Sequence, residues 1–398
     1  MDYAYGTRTD EIDEFFRAKR VWSKVKDEVV GNYITCYLKT VQRRGRPIII
    51  VDAFAGPGLF GDDSPGSPLI ICNAIRATAK GQVGIGCLFA DAHPGHRAAL
   101  EQALGEHIKS GVCEKPYAEC AEALNHAVEI GTDATIFFYL DPYGIKDLDF
   151  EMVRQIYERD TSQSTEVLIN FNFRAFMRMS GNWGYGATAD EIALKVKSSK
   201  IETVNRVMDG DYWRSIITDP SLDKIGREDK VVSAYVERIK RYFRYTFAIP
   251  VKQRDETDYN VPTDELARYH LIFGTRHYRA VEFMNDVALN ALQPYFDQFK
   301  DGLLFDMTPE RYQSASRDKV KAAIVQAVAA RPLKRPQIFE AVIPQFFMHY
   351  LKKEYRAMID ELTFNEGRLH PDRGTMKKKT QLNDDTLLSA SPWPGAIV

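Results

Sequence analysis

Short apolar runs that alternate with helical patterns constrain this chain of 398 residues more than any other feature. Residues 48–52, 83–91, 134–144 and 165–173 are rich in Ile, Val, Phe and Leu. Apolar runs of this length predict strands that are buried on both faces, as in a parallel sheet. Residues 111–116 are expected to add a short fifth strand. Because helical patterns separate the runs, the sequence predicts an α/β fold with a doubly wound parallel sheet.

The alternation of strand and helix stops after the last of these runs. Residues 175–242 show a mostly helical pattern, and the segments 243–253 and 267–277 then indicate a late strand pair. This inventory of strands is that of a Rossmann-like methyltransferase sheet. We therefore predict an N-terminal helical segment over 1–45 and a methyltransferase-like domain over 46–304, which contains the helical insertion.

The remaining residues, 305–398, have a different character. Three helical patterns precede two short polar strands around a basic loop, which is typical of a winged helix. From residue 314 onward the chain has 14 Lys and Arg against 9 Asp and Glu, although the whole chain carries a net charge of −2. Lys and Arg on one side of such a domain bind phosphates, so DNA or RNA is one expected partner. A solvated face or a protein-docking module is the alternative. The candidate nucleic-acid contacts are Lys352, Lys353, Arg356, Arg373, Lys377, Lys378 and Lys379.

Composition disfavours several other classes of protein. No apolar run reaches the roughly 18 residues of a membrane span. The start of the chain lacks the apolar core of a signal peptide. The five cysteines are odd in number and form no CxxC pair, and no histidines are spaced as HExxH. We therefore expect free thiols, a cytoplasmic protein, no metal and no membrane partner.

The stretch VDAFAGPG, at the end of the first predicted strand, is the first candidate binding loop. Gly56 and Gly58 have no side chains, so a ligand can approach their backbone closely. A dinucleotide fingerprint would need a third glycine and an immediate helix, but the helical pattern here begins at about Ser67. The loop therefore favours a nucleoside cofactor without phosphates, S-adenosylmethionine. A tight structural turn capped by Asp52 is the alternative.

Acidic and aromatic residues near the strand ends extend this hypothesis. Asp52 precedes the glycines and is a candidate partner for the cofactor's ammonium group, directly or through water. Asp91 ends the second predicted strand, where an acid normally binds ribose hydroxyls. Glu119 follows the short strand predicted at 111–116 and is a candidate adenine contact. Phe54, between Asp52 and the glycines, completes the predicted cofactor-binding set.

The stretch YLDPYG contains the candidate catalytic residues. Asp141 is predicted at the carboxyl edge of the sheet, where ligands of open α/β sheets bind. We expect it to orient the methyl acceptor or to accept its proton, and Tyr143 to stack on the acceptor. A common structural turn is the alternative. The loop Trp183–Tyr185 is a candidate lid. Further candidate substrate contacts are Pro142, Asn172, Arg174 and Arg276.

The spacing D-x-F-x-G-x-G followed by D-P-Y resembles the motifs of methyltransferases that act on amino groups of nucleic acids. Those proteins carry a DPF-x-G-x-G loop and a DPPY or NPPY turn. The matching residues are Asp52, Phe54, Gly56 and Gly58 in the loop, and Asp141 and Pro142 in the turn. The chain departs from the second motif, because Tyr143 stands in place of the second proline and Gly144 in place of the aromatic residue.

The chain also resembles the three-Cys-motif partner protein family. The stretches VDAFAGPG, GSPLI, FFYLDPYG and YHLIFGTRH carry this resemblance, in that order over residues 51–277. The resemblance implies a methyltransferase-like fold, S-adenosylmethionine as cofactor, and a separate partner protein with a three-cysteine motif. It leaves the reaction open.

Three functions are compatible with these observations. The first is an S-adenosylmethionine-dependent methyltransferase that acts on a nucleic-acid base. The second is a partner or specificity subunit of a three-cysteine-motif protein, with a methyltransferase-like fold that need not be catalytic. The third is a methyltransferase for a peptide or a small molecule.

Overall fold

The computed structural model describes residues 16–81, 83–160, 164–181, 198–252, 267–297, 315–376 and 381–392. The candidate lid Trp183–Tyr185 and the candidate contacts Lys377, Lys378 and Lys379 lie outside the described residues. The chain divides into two compact units, Met1–His277 and Tyr278–Val398.

The first unit alternates strands and helices. Its elements are α1 (Val21–Val41), β1 (Ile48–Asp52), α2 (Ser67–Thr78), β2 (Ile85–Phe89), α3 (Pro94–Ala103), α4 (Gly105–Lys109), α5 (Cys120–Ile130), β3 (Thr135–Leu140), α6 (Phe150–Tyr157), β4 (Thr165–Phe171), α7 (Phe173–Met179), α8 (Ser198–Met208), α9 (Trp213–Ile217), α10 (Lys224–Ile239), β5 (Tyr245–Lys252) and β6 (Ala267–Thr275). The predicted start of α2 at Ser67 is confirmed, and Pro68 lies in its first turn, where a missing amide hydrogen costs nothing.

One six-stranded sheet organises this unit, in the order β2-β1-β3-β4-β6-β5. The first four strands are parallel, and β6 pairs antiparallel with both β4 and β5. Every residue of β1, β3 and β4 is buried, as the apolar runs predicted. A mostly parallel sheet that closes with a late antiparallel pair is therefore confirmed, and it is consistent with a Rossmann-like methyltransferase fold.

The prediction of a fifth parallel strand at 111–116 is wrong. This segment runs beside β2 but makes only two isolated parallel bridges, Cys87 to Cys113 and Ala90 to Tyr117. Pro116 lies between the bridges and has no amide hydrogen to donate. The ladder is therefore interrupted before it becomes a strand.

Helix α1 packs on the sheet and belongs to the first unit. Its Tyr33 ring lies 5.5 Å from Phe137 of β3 and 5.2 Å from Phe273 of β6, measured between ring centroids. Val29 and Val30 beside it are fully buried. The apolar side of this helix therefore faces the sheet, and the N-terminal turns of α1 extend over the carboxyl edge of the sheet.

The predicted helical insertion is confirmed for the described residues. Helices α7 to α10 lie between β4 and β5 in sequence, and they bury Trp213 of α9 and Tyr235 of α10 completely. The Tyr235 ring lies 4.8 Å from Phe171, at the end of β4. The insertion therefore packs near the same strand end that carries the predicted substrate contacts.

The second unit is smaller. Its elements are α11 (Tyr278–Asp297), α12 (Arg317–Ala329), β7 (Leu333–Lys334), α13 (Arg335–Val342), α14 (Lys352–Phe364), β8 (His370–Pro371) and β9 (Leu387–Ser389). The three short strands form an antiparallel sheet in the order β7-β9-β8. The last three helices, α12 to α14, and the small sheet agree with the sequence pattern, and the winged-helix assignment itself stays a prediction.

The division between the units lies before α11, whereas the sequence placed it after residue 304. Asn285 of α11 explains the difference, because its side chain forms hydrogen bonds with other residues of the second unit. Its Oδ1 accepts a hydrogen bond from the Met348 amide at 2.8 Å, and its Nδ2 donates to the Tyr350 carbonyl at 2.9 Å. Among the described residues, no helix is both long enough and apolar enough to cross a membrane.

Candidate functional site

A cavity of about 850 Å³ opens at the carboxyl ends of the parallel strands. The segments after β1, β2 and β3, the end of β4 and the start of β6 contribute to its wall, and α1 supplies Trp22 and Lys26. Of the residues predicted from sequence, those that line the cavity are Phe54, Gly56, Gly58, Asp91, Glu119, Asp141, Pro142, Tyr143 and Asn172. The crossover topology thus brings together residues that are far apart in the chain.

The glycine loop after β1 adopts a conformation that requires glycine. Gly56 has a φ of +64° and Gly58 a φ of +83°, both in the left-handed region that L-residues rarely adopt. A Cβ on Gly56 would lie 2.9 Å from the ring of Phe16. The Gly66 amide donates to the Gly58 carbonyl at 2.8 Å, which closes the loop before α2 begins.

Asp52 lies beneath this loop and does not line the cavity. Its side chain has no exposed surface. One carboxylate oxygen accepts from the Ser67 hydroxyl at 2.6 Å, and the other accepts from the Phe54 amide at 3.2 Å. Burial raises the pKa of Asp52 to about 7, against the lowering effect of the Ser67 hydrogen bond. Asp52 therefore holds the loop and the start of α2, and the predicted direct contact with a cofactor ammonium group would need the loop to open.

Asp91 lines the cavity and joins two strand ends. One oxygen accepts from the Gly56 amide at 2.9 Å, and the other accepts from the His93 amide at 2.8 Å. A carboxylate has about four acceptor positions, so both oxygens can still bind a hydroxyl group. The acid predicted at the end of the second strand is thus in the wall of the cavity, beside the glycine loop.

Asp141 is held by three side chains at the end of β3. The Lys26 ammonium of α1 forms an ion pair with Oδ2. The Tyr139 hydroxyl donates to the same oxygen at 3.0 Å, and the Asn170 side-chain amide donates to Oδ1 at 2.6 Å. Burial lowers the pKa of Lys26, but the negative charges of Asp141 and Asp27 outweigh it, so the net shift is upward. Lys26 is therefore charged at neutral pH.

Asn170, beside Asp141, carries an unused acceptor atom. Its Nδ2 is used by Asp141, while its Oδ1 is buried and, among the described residues, has no hydrogen-bond partner. A buried acceptor without a donor costs on the order of 1–3 kcal/mol. Asn170 also lines the cavity. A ligand with an N–H or O–H group could satisfy this oxygen.

The segment before α1 covers part of the glycine loop. The Phe16 ring lies 5.5 Å from Phe60 and 4.9 Å from His96, measured between centroids. The Gly61 amide donates to the Phe16 carbonyl at 2.8 Å. Lys19, in the same segment, forms an ion pair with the buried Asp27 of α1. These contacts hold the segment against the cavity wall.

Aromatic and basic side chains lie on the side of the cavity near Asp141. Tyr143 is 49 % exposed and lines the cavity. The Arg268 guanidinium lies 5.3 Å from the centre of the Trp22 ring, and both residues line the cavity with Arg178 of α7. The Tyr269 hydroxyl donates to the Trp22 carbonyl at 2.5 Å, which ties β6 to α1.

Two predicted substrate contacts do not line the cavity. Arg276 lies at the opposite edge of the sheet, because β6 is antiparallel to β4 and its last residue, Thr275, pairs with Glu166 near the start of β4. The Arg276 guanidinium donates to the carbonyls of Tyr157 and Tyr242 at 2.6 and 3.2 Å. Arg174 lies on α7, one helical turn before Arg178.

The predicted nucleic-acid contacts of the second unit have mixed surroundings. Lys352 binds the buried Glu282 at 2.7 Å, so its charge is used within the unit. Arg356 lies 3.4 Å from Asp384. Lys353 and Arg373 are exposed. The role predicted for these residues is untested by the structure.

Several cavity residues were not predicted from the sequence. They are Phe16, Lys26, Asn170, Arg178, Arg268 and Tyr269. One signal was available, because Lys26 stands four residues after Trp22 on the apolar side of α1, where a charge needs a partner. The five cysteines are free thiols, as expected. Among the described residues, no group of three or more His, Cys, Asp or Glu side chains could hold a metal ion.

Comparison with known proteins gives little further information. No family model matches the chain, and no curated protein matches it. Protein LPL1258 from Legionella pneumophila, of family model DUF519, is 10 % identical with a TM-score of 0.41, over 70 % of this chain and 94 % of its own. A putative O-methyltransferase from Klebsiella pneumoniae is 9 % identical with a TM-score of 0.29, over 68 % and 96 %. Similarity this low carries no functional argument, and membership of the three-Cys-motif partner family stays a resemblance of motifs.

Proposed function

We propose that the first unit binds S-adenosylmethionine in the cavity and transfers its methyl group to a nucleic-acid base held beside Asp141. One observation supports this proposal most directly: the Gly56–Gly58 turn, the Asp91 carboxylate and the Asp141 turn all line one cavity. They come from the ends of three adjacent parallel strands, which is where open α/β sheets bind their ligands.

The residues around the cavity fit the proposed cofactor. Asp91 retains acceptor positions for ribose hydroxyls, and the glycine loop contributes Gly56 and Gly58 to the cavity wall. Glu119 and Phe54 line the same volume and are the candidate contacts for the adenine. The cofactor, when bound, supplies an electrophilic methyl group on a sulfonium. A cavity with several carboxylates in its wall favours that positive charge.

The acceptor side is built from Asp141, Asn170 and Tyr143. The free Oδ1 of Asn170 can accept a hydrogen bond from an amino group, and the exposed Tyr143 ring can stack on a planar base. Lys26 forms an ion pair with Asp141 and fixes its orientation. Holding two reactants in line can contribute about 7–11 kcal/mol to lowering a barrier, so positioning is the main work of these residues. A base in a duplex would first have to flip out of its stack.

Calorimetric titration of the full chain with S-adenosylmethionine tests the cofactor site. We expect Asp91→Ala to weaken binding by about 30-fold, which corresponds to about 2 kcal/mol. Asp91→Asn keeps one oxygen that can accept from a backbone amide, so this variant serves as the second test if Asp91→Ala does not fold. Asp133→Ala removes an exposed acid elsewhere in the unit and should leave affinity unchanged. Absence of binding by the unmodified chain would overturn the proposal.

A transfer assay with labelled cofactor tests the acceptor. The substrates are single- and double-stranded DNA, RNA and a protein extract, each with and without a three-cysteine-motif protein. Label in nucleic acid supports the proposal. Label found only in protein or in small molecules would show that the acceptor is not a nucleic acid. Cofactor binding without any methyl transfer would favour the role of partner subunit.

A further inference from the structure

We propose that a rim on the first unit binds the phosphate backbone of a single-stranded nucleic acid whose base enters the cavity. The rim consists of Trp22, Tyr143, Arg174, Arg178 and Arg268. This inference rests on the proposed function and deepens it, since it assigns acceptor binding to the first unit, whereas the sequence assigned nucleic-acid contacts to the second.

The geometry of the rim comes from three separate parts of the chain. Arg178 lies on α7 and Arg268 near the start of β6, and both line the cavity. Arg174 precedes Arg178 by four residues on α7, so the two side chains share one face of the helix. The register places the start of β6 beside the end of β4, with His270 opposite Phe171. This pairing brings Arg178 and Arg268 together at the cavity, and Arg174 lies close enough to act electrostatically on Arg268.

The electrostatics of the rim favour an anion. Burial lowers the pKa of Arg268, and the positive charges of Arg174 and Arg178 lower it further. Like charges held close together raise the local potential and attract a ligand of opposite sign. Guanidinium groups bind phosphate oxygens through two parallel hydrogen bonds, which makes arginine a suited residue for this ligand.

Aromatic side chains accompany these arginines. Trp22 lies under the Arg268 guanidinium, and Tyr143 is half exposed at the cavity. Binding sites for single strands combine a basic groove with aromatic rings on which bases stack. An acidic peptide would use the arginines but not the rings. The combination therefore favours a nucleic acid strand over other anions.

The second unit carries a separate set of basic side chains. Lys352 is bound to Glu282, and Arg356 lies beside Asp384. Lys353 and Arg373 remain exposed there. The two sets can therefore be separated by substitution.

The test is fluorescence anisotropy of the full chain with labelled single-stranded DNA and RNA of about ten nucleotides, from about 50 to about 200 mM salt. We expect Arg174→Gln and Arg178→Gln each to weaken binding about 4-fold near 0.15 M salt. Each should also make the slope of log affinity against log salt shallower by about 0.7. Tyr143→Ala should weaken binding without changing the slope, and Tyr143→Phe should retain it.

Matched controls decide the outcome. Arg76→Gln removes the same charge from an exposed position on α2 that does not line the cavity, and it should have no effect. Loss confined to Lys353→Gln and Arg356→Gln would overturn the inference. Binding of a glutamate-rich peptide with the same affinity as the nucleic acid would also overturn the inference. Arg178→Gln should leave cofactor affinity unchanged. The cofactor titration therefore tests the proposed function independently of this inference, and the two can fail separately. Binding of a mononucleotide with the same arginine dependence would identify a free nucleotide as the acceptor, against the inference.

Discussion

The two edges of the same sheet bury similar polar groups and use them differently. At the amino edge, Glu166 accepts hydrogen bonds from Tyr33 at 2.5 Å and from Thr275 at 3.2 Å. Arg159 donates there to the Thr165 hydroxyl and to backbone carbonyls, and none of these residues lines the cavity. The polar groups of this edge bind one another and the backbone.

At the carboxyl edge, the polar groups face open volume. Asp91 and Asp141 line the cavity with unused acceptor positions, and Asn170 keeps a buried oxygen without a partner among the described residues. The difference teaches that burial of charge does not identify a functional site by itself. An unpaired buried acceptor in the wall of a cavity is the more informative observation.

The largest expected effect is on methyl transfer. Asp141→Ala should lower the transfer rate about 10²- to 10⁴-fold, because it removes the group that orients the acceptor. Cofactor affinity should change by less than about 3-fold, since Asp141 lies on the acceptor side. Glu166→Gln, at the other edge, should leave the rate unchanged. Rate measurements at saturating cofactor check this prediction. An equal loss of transfer rate in both variants would show that the two edges do not differ in function.

An intermediate effect is expected on stability. Arg159→Ala removes the hydrogen bonds to the Thr165 hydroxyl and to the carbonyls of Gly131 and Ala134, and should lower the free energy of unfolding by about 3 kcal/mol. Arg178→Ala, which truncates an exposed side chain at the cavity, should change it by less than about 0.5 kcal/mol. Urea denaturation midpoints measure both. A larger loss for Arg178 would mean that the rim is structural.

A more gradual effect is expected on the pH dependence of stability, because it is spread over several pH units. Burial raises the pKa of Asp52 and of Glu166 to about 7, from ordinary values of 3.8 and 4.5. Between about pH 4 and pH 7 the folded state therefore binds more protons than the unfolded state. The contribution of these two groups to stability is greatest below this window and falls as pH rises through it, by at most about 1.4 kcal/mol per pH unit for each group.

Asp52→Asn and Glu166→Gln should each flatten this decline, as measured by urea midpoints across the window. Only Asp52→Asn should also change the pH dependence of cofactor affinity, because Asp52 holds the glycine loop and Ser67. Identical behaviour of the two variants in the cofactor titration would show that Asp52, like Glu166, is purely structural.

Much of the fold could be predicted because its signals are local. Runs of Ile, Val and Phe mark β1, β3 and β4, since a strand buried on both faces needs apolar residues at every position. The strand predicted at 111–116 failed because the missing amide hydrogen of Pro116 matters only once its neighbour, β2, is known.

The candidate site could be predicted best where its residues follow parallel strands. Asp91 and Asp141 meet this condition, and both line the cavity. Arg276 was misplaced because its position depends on the direction of β6, which is set by pairing with β4. Lys26 and Arg268 were missed because they reach the cavity through the packing of α1 and the register of β6.

By itself, the sequence determined the layered α/β architecture, the glycine turn with its left-handed backbone, and the acids at the ends of two strands. These follow from hydrophobic periodicity and backbone sterics, which act over a few neighbouring residues. Only the tertiary structure decided that Asp52 is sealed under the loop, that Lys26 holds Asp141, and that arginines from α7 and β6 meet at one mouth of the cavity. Those outcomes depend on strand direction, register and helix packing, which join residues that are distant in the chain.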